Sequence, residues 1–209
     1  MTFQPVLPYP VGDGVNLFVR PAIPVVFKQD LPTANGYHDP GFNLGDIGFD
    51  AALGKSFASG VVLVGGVVGT LPTATDDDLG KDQWALGPEV AAAMVKKWGV
   101  LGLLITHQWD VAGDDDVNTN VTGGQYFYTF NLKDGWQITS SPTFSYDHEA
   151  PSSQAWTVPV GIGVNKTAIL NGRPWKFGLQ FWHYVEAPDA FGPDWQVRFS
   201  VTPVVPLPW

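Results

Sequence analysis

Taken at a period of two, the chain separates into apolar and polar faces. From Trp195, the residues Trp195, Val197, Phe199, Val201, Pro203, Val205, Leu207 and Trp209 fall on one side of an extended backbone. Asp194, Gln196, Arg198, Ser200 and Thr202 fall on the other. The split recurs upstream. Tyr126, Tyr128, Phe130 and Leu132 oppose Gln125, Thr129 and Asn131. Trp136, Ile138, Pro142, Phe144 and Tyr146 oppose Gln137, Thr139, Ser141, Thr143, Ser145 and Asp147. Trp156, Val158, Val160, Ile162 and Val164 oppose Thr157, Gly161 and Asn165, and Trp175, Phe177, Leu179, Phe181 and Val185 oppose Lys176, Gln180 and Glu186. More apolar runs lie near 3–9, 17–27, 45–55, 61–73, 84–98 and 100–111, which brings the total to about eleven runs bounded by Gly, Pro, Asn and Asp. The pattern predicts antiparallel strands throughout.

Alternation alone also fits a soluble sandwich or a lipocalin-like barrel with its apolar face turned inward. The tryptophans separate these readings. Eight of the nine sit near predicted strand ends, with Trp84, Trp109, Trp156 and Trp195 towards one side and Trp98, Trp136, Trp175 and Trp209 towards the other. An indole has an apolar body and one N–H donor, so it prefers the boundary between hydrocarbon and headgroups, and transmembrane barrels carry such girdles at both interfaces. Connections alternate likewise. Those at Gly12–Asp13, Ser56–Ser59, Lys97–Gly99, Lys133–Gly135 and Asn171–Gly172 are short, and the intervening ones are mostly longer and polar. Against this stand Pro21, Pro24, Pro88, Pro142, Pro159 and Pro203 inside predicted strands. Each removes a ladder donor, so bulges or weakened pairing are expected there.

Composition narrows the setting. The sequence is 44% hydrophobic and only 15% charged, against roughly 25% charged in a soluble domain. A net charge of -9 excludes a nucleic-acid partner, which requires a dense basic patch. No run of about 18 apolar residues occurs, so no transmembrane helix is predicted. The absence of cysteine removes disulfides and thiolate metal sites and suits passage through an oxidising periplasm.

The blocks LPTATDDDLG, GPEVAAAMVKKWGVLGLLITHQWDVAGDDD, GWQITSSPTFSYDHEA, WTVPVGIGVNK and PDWQVRF, in that order, resemble an outer-membrane β-barrel family named for transport in the meta-pathway of phenol degradation. The resemblance spans nearly the whole chain and implies a bacterial outer-membrane location and movement of small, aromatic or hydrophobic, compounds. The expectation is therefore an all-β fold, an up-and-down antiparallel transmembrane barrel over residues 1–209, acting in passive transport. Its partners are outer-membrane lipids and a small solute, with no cofactor. The alternative is a structural or adhesin-like barrel with a closed interior.

If the apolar faces meet lipid, the lumen receives Arg20, Asp46, Asp50, Glu89, Asp147, Lys176, Gln180, Trp182, Tyr184, Glu186 and Arg198. Mixed charges of this kind make either a selective lining or a salt-bridged plug. Trp182 and Tyr184 beside Gln180 either stack an aromatic solute or simply pack. The acidic triplets Asp76–Asp78 and Asp114–Asp116 read as solvated loops, and their spacing fits no defined Ca²⁺ loop. Lipid-cleaving chemistry needs a serine beside a histidine. His148 and Ser145 fall on opposite strand faces, and His107 lies near Trp109 and His183 near Trp182, so no catalytic role is assigned.

Two expectations concern the termini. The alternation ending at Trp209 resembles the C-terminal signal read by barrel-insertion machinery. Bacterial single-chain barrels have an even number of strands, so eleven runs predict a missing first strand, and the family resemblance implies that strand and a signal peptide before it; the alternatives are a miscounted strand or an odd-numbered barrel. The strand near Phe3 should then run parallel to the one near Trp195 or leave a gap beside it.

Overall fold

The computed structural model describes residues 1–28, 31–33, 36–113, 118–189 and 192–205. Trp209, with the terminal signal it closes, and the Asp114–Asp116 triplet lie outside the described residues. In chain order the strands are β1 (Thr2–Phe3), β2 (Leu7–Gly12), β3 (Val15–Val26), β4 (Leu31–Thr33), β5 (Gly36–His38), β6 (Asn43–Leu44), β7 (Ile47–Ser56) and β8 (Val61–Leu71). They continue as β9 (Gln83–Lys96), β10 (Gly99–Gly113), β11 (Asn120–Asn131), β12 (Trp136–Ser140), β13 (Thr143–Asp147), β14 (Trp156–Leu170), β15 (Arg173–Glu186) and β16 (Trp195–Pro203).

The fold is all-β and antiparallel. Fourteen strands form one sheet whose hydrogen-bonded path has eleven positions, from β1 through β3 and β7 to β16; β2, β6 and β13 lie beside this path and β4 pairs β5 separately. Each of the eleven alternating runs occupies one position, with β1 and β2 sharing a run and β12 and β13 another. Among the described residues, β1 and β2 pair with β3, β16 pairs with β15, and no antiparallel ladder joins those two edges. The short connections are tight turns. At Asn171–Gly172 both residues have positive φ (49° and 76°), the pairing that a two-residue turn between twisted strands requires.

Some of the prolines coincide with ladder failures, whereas Pro24 and Pro203 pair within ladders, with Thr2 and Trp175, without the bulges expected there. β1 reaches Ile23 and Pro24 of β3, and β2 begins again at Val19, so the interruption at 4–6 falls opposite Pro21. Towards β7 the register runs unbroken through Pro21↔Phe49, so the bulge expected at Pro21 is absent on that side. The missing donor is accommodated at the interrupted edge instead. In β14 the register shifts between Val158 and Pro159.

The described residues gather into two compact units that interleave along the chain. One comprises Met1–Lys55, Val64–Val90 and Thr106–Val121, and the other Ser56–Leu63, Ala91–Ile105 and the residues from Thr122 onward. Both invert the pattern of a water-soluble core. In the first, Trp84, Leu86 and Val90 of β9 are exposed, while Gln83, Ala85 and Glu89 are buried. In the second, Leu179, Phe181 and Val185 of β15 are exposed, while Gln180 and Trp182 are buried. Among the described residues, eight polar or charged residues are buried against four hydrophobic ones, so within each unit the polar face is the more buried and the apolar face the more exposed. Six of the girdle candidates, Trp84, Trp98, Trp109, Trp136, Trp156 and Trp195, are exposed, and Trp175 is half-buried.

Candidate functional site

In the first unit, the register places Arg20 of β3 directly across from Asp50 of β7, and Arg20 Nε donates to Asp50 Oδ1 at 2.6 Å. Glu89 of β9 is 3% exposed, and its Oε2 has no hydrogen-bond partner among the described residues. It lies within electrostatic range of both Asp50 and Arg20. The intervening strand β8 keeps that face small, because Gly66 fits against Ala52 only by lacking a Cβ. The alternation thus brings Arg20, Asp50 and Glu89 together.

Asp46 stands between β6 and β7 rather than within a strand. Its carboxylate accepts the backbone N–H groups of Thr73 and Ala74 at 3.0 Å each and of Lys81 at 3.1 Å. It fixes the connection that carries Asp76–Asp78. There Asp76 Oδ1 accepts the Asp78 N–H at 3.1 Å and starts a 3₁₀ turn over Asp77–Leu79. Asp46→Ala is expected to orphan three donors and lower stability by about 2 kcal/mol. Faster hydrogen exchange confined to the amides of Thr73, Ala74 and Lys81 would check this, and unchanged exchange would refute it.

Above this connection lies a cavity of about 460 Å³, lined by Asp46, Thr70, Lys81, Gln83, Gln108 and Thr119 among others. Thr70 Oγ1 donates to Gln108 Oε1 at 3.0 Å and Thr119 Oγ1 to Gln83 Oε1 at 2.9 Å. These amides and hydroxyls offer donors and acceptors to a small polar group. Sequence reading missed them because it started the strand at Trp84 and ranked charges above amides; Gln83 continues the face of Ala85 and Glu89. Among the described residues no three His, Asp or Glu side chains stand together as a metal site.

The second unit holds a break in the sheet. Pairing of β12 with β14 runs from Trp136↔Lys166 to Thr139↔Gly163, and β13 resumes in the same register at Ser145↔Thr157 and Tyr146↔Trp156. Residues 140–144 therefore face 158–162 without a ladder, and each side contributes one proline, Pro142 and Pro159. Side chains take over the backbone's hydrogen bonds. From the β11 face that carries Phe130, Tyr126 Oη donates to Pro159 O at 3.0 Å and Tyr128 Oη to Gly161 O at 2.9 Å. Gln180 Oε1 accepts from Ser141 N at 2.9 Å and from Trp182 Nε1 at 3.0 Å, and Gln125 Nε2 donates to Ser141 O at 3.1 Å. Such substitution follows from the cost of leaving buried backbone groups unpaired.

The sequence candidates on this side divide accordingly. Gln180, Trp182 and Arg198 come together, with the Arg198 Cζ 5.6 Å from the Trp182 ring centre. Trp182 is 3% exposed and lies over Gly161, where a Cβ would collide with it, so its ring offers no open face for a solute to stack upon. Tyr184 Oη donates to Gln196 Oε1 at 2.8 Å. Lys176 and Glu186 sit towards opposite ends of β15 and Asp147 at the end of β13, where its Oδ1 accepts the Glu149 N–H at 3.0 Å.

No protein-family model, curated protein or solved structure matches this chain. Three of the four histidines have close neighbours. His148 Nε2 lies 2.8 Å from Thr122 Oγ1, His183 Nδ1 lies 3.0 Å from Asp194 O, and the rings of His107 and Trp109 are 4.2 Å apart.

Proposed function

We propose that the chain is a bacterial outer-membrane β-barrel that passes a small solute passively. The supporting observation is the inverted burial: apolar faces are exposed along β9, β14, β15 and β16, while polar residues are buried on β9, β14 and β15. In water, exposing such contiguous apolar surface is unfavourable, whereas hydrocarbon favours it and requires every backbone group to be paired within the sheet. Tryptophans at strand ends fit the interfaces of such a bilayer. The aromatic class of solute rests on the family resemblance alone. A closed barrel is the second reading, favoured by the mutual satisfaction of Gln180, Trp182 and Ser141.

Planar-bilayer recording with the refolded chain separates the two. Defined conductance steps are the expected result, and silence across salts and voltages would leave the closed barrel. Liposome swelling with sugars, amino acids and phenolic compounds then ranks the solutes.

A further inference from the structure

The break between β12/β13 and β14 differs in kind from an ordinary bulge. The register is the same on both sides of it, so the strands neither slip nor separate in sequence. What is absent is the ladder, and two prolines ensure that backbone donors cannot fully restore it. The carbonyls of Pro159 and Gly161 are held by two tyrosine hydroxyls instead. A side-chain hydroxyl leaves its acceptor by rotamer rotation, on a far shorter timescale than strand separation. Ser140, wholly buried inside the break, has an Oγ without a hydrogen-bond partner among the described residues. On the exposed apolar face, a groove of about 410 Å³ lined by Ile138, Ile162, Val164, Leu179 and Phe181 borders the break.

We propose that this break is a lateral opening in the sheet, plugged at rest by Tyr126 and Tyr128, which admits a small apolar molecule carrying one hydroxyl. The occupant's chemistry follows from what the tyrosines do. The freed groups are carbonyl acceptors, so the molecule must donate a hydrogen bond, and the groove leading to them is wholly aliphatic and aromatic, so the remainder must be apolar. The inference rests on the exposed face meeting lipid.

The chain has no cysteine, so Ser140→Cys supplies a single thiol at the centre of the break. In the refolded full-length protein, N-ethylmaleimide should label that thiol well before global unfolding. Tyr128→Phe should raise the labelling rate about tenfold, the shift in opening equilibrium carried by one hydrogen bond to a buried acceptor. Hexanol should slow labelling and hexane should not. Labelling no faster than that of Ala52→Cys, a control buried elsewhere in the sheet, would overturn the opening, and equal protection by hexane would overturn the proposed ligand. Should Ser140→Cys fail to fold, hydrogen exchange at the Gly161 amide in Tyr128→Phe, with and without hexanol, gives the same two readings. Neither readout requires conductance, and tolerance of a charge on the exposed face would count against the lipid-facing reading separately.

Discussion

Phe181→Arg is expected to destabilise the folded protein in liposomes by about 2–4 kcal/mol, the depth-dependent penalty for a cationic side chain on the lipid face of a barrel. Phe181 is 50% exposed and lies between Leu179 and His183 on the outward face of β15. At a water-exposed position the same change would alter stability by no more than about 0.5 kcal/mol. The two environments therefore predict different outcomes from one substitution, readable as the shift in denaturant midpoint followed by tryptophan fluorescence. An unchanged midpoint would remove the main support for a membrane-facing sheet. Gln180, the adjacent residue on the opposite face, is 7% exposed and hydrogen-bonded, so the effect is specific to the face and not to the strand.

Trp182→Ala is expected to lose about 3–5 kcal/mol, the usual range for deleting a large buried aromatic side chain. Its indole covers Gly161, donates to Gln180 and lies beneath the Arg198 guanidinium. Trp182→Phe keeps most of the packing and loses one hydrogen bond, so about 1 kcal/mol is expected. Gly161→Ala alone should also destabilise, because its Cβ meets the indole. Combined with Trp182→Ala it should restore part of the loss, a coupling that a double-mutant cycle reads directly. If conduction follows the polar face of this unit, Trp182→Ala also raises single-channel conductance. Additive stability changes would show that Trp182 and Gly161 do not pack as a pair.

The strands were legible because alternation is a local property. A residue's face on an extended backbone depends on its own position and its immediate neighbours, so Leu179, Phe181 and Val185 could be set against Gln180 without knowing what either side meets. The Arg20–Asp50 pair was legible only as two charges on inward faces. Their contact depends on the register of β3 with β7, which brings residues 30 apart in sequence to 2.6 Å. The partners of Asp46 were equally out of reach of a local reading. Its parity places it on the face of Asp50, and only the fold shows that it precedes β7 and that its carboxylate binds the β8–β9 connection.

The strand break was the least legible feature. Pro142 and Pro159 each announce a lost donor, but nothing local says that they fall in the same gap, or that tyrosines from β11 and a glutamine from β15 replace the missing bonds. By itself, then, the sequence determined the all-β character, the eleven runs and the apolar and polar sides of the five runs from Tyr126 onward, since extended backbone geometry and turn chemistry act over a few residues. Only the tertiary structure decided which polar side chains meet, which ladder is interrupted and that Trp182 is covered, because long-range register and the pairing of buried donors with acceptors set these.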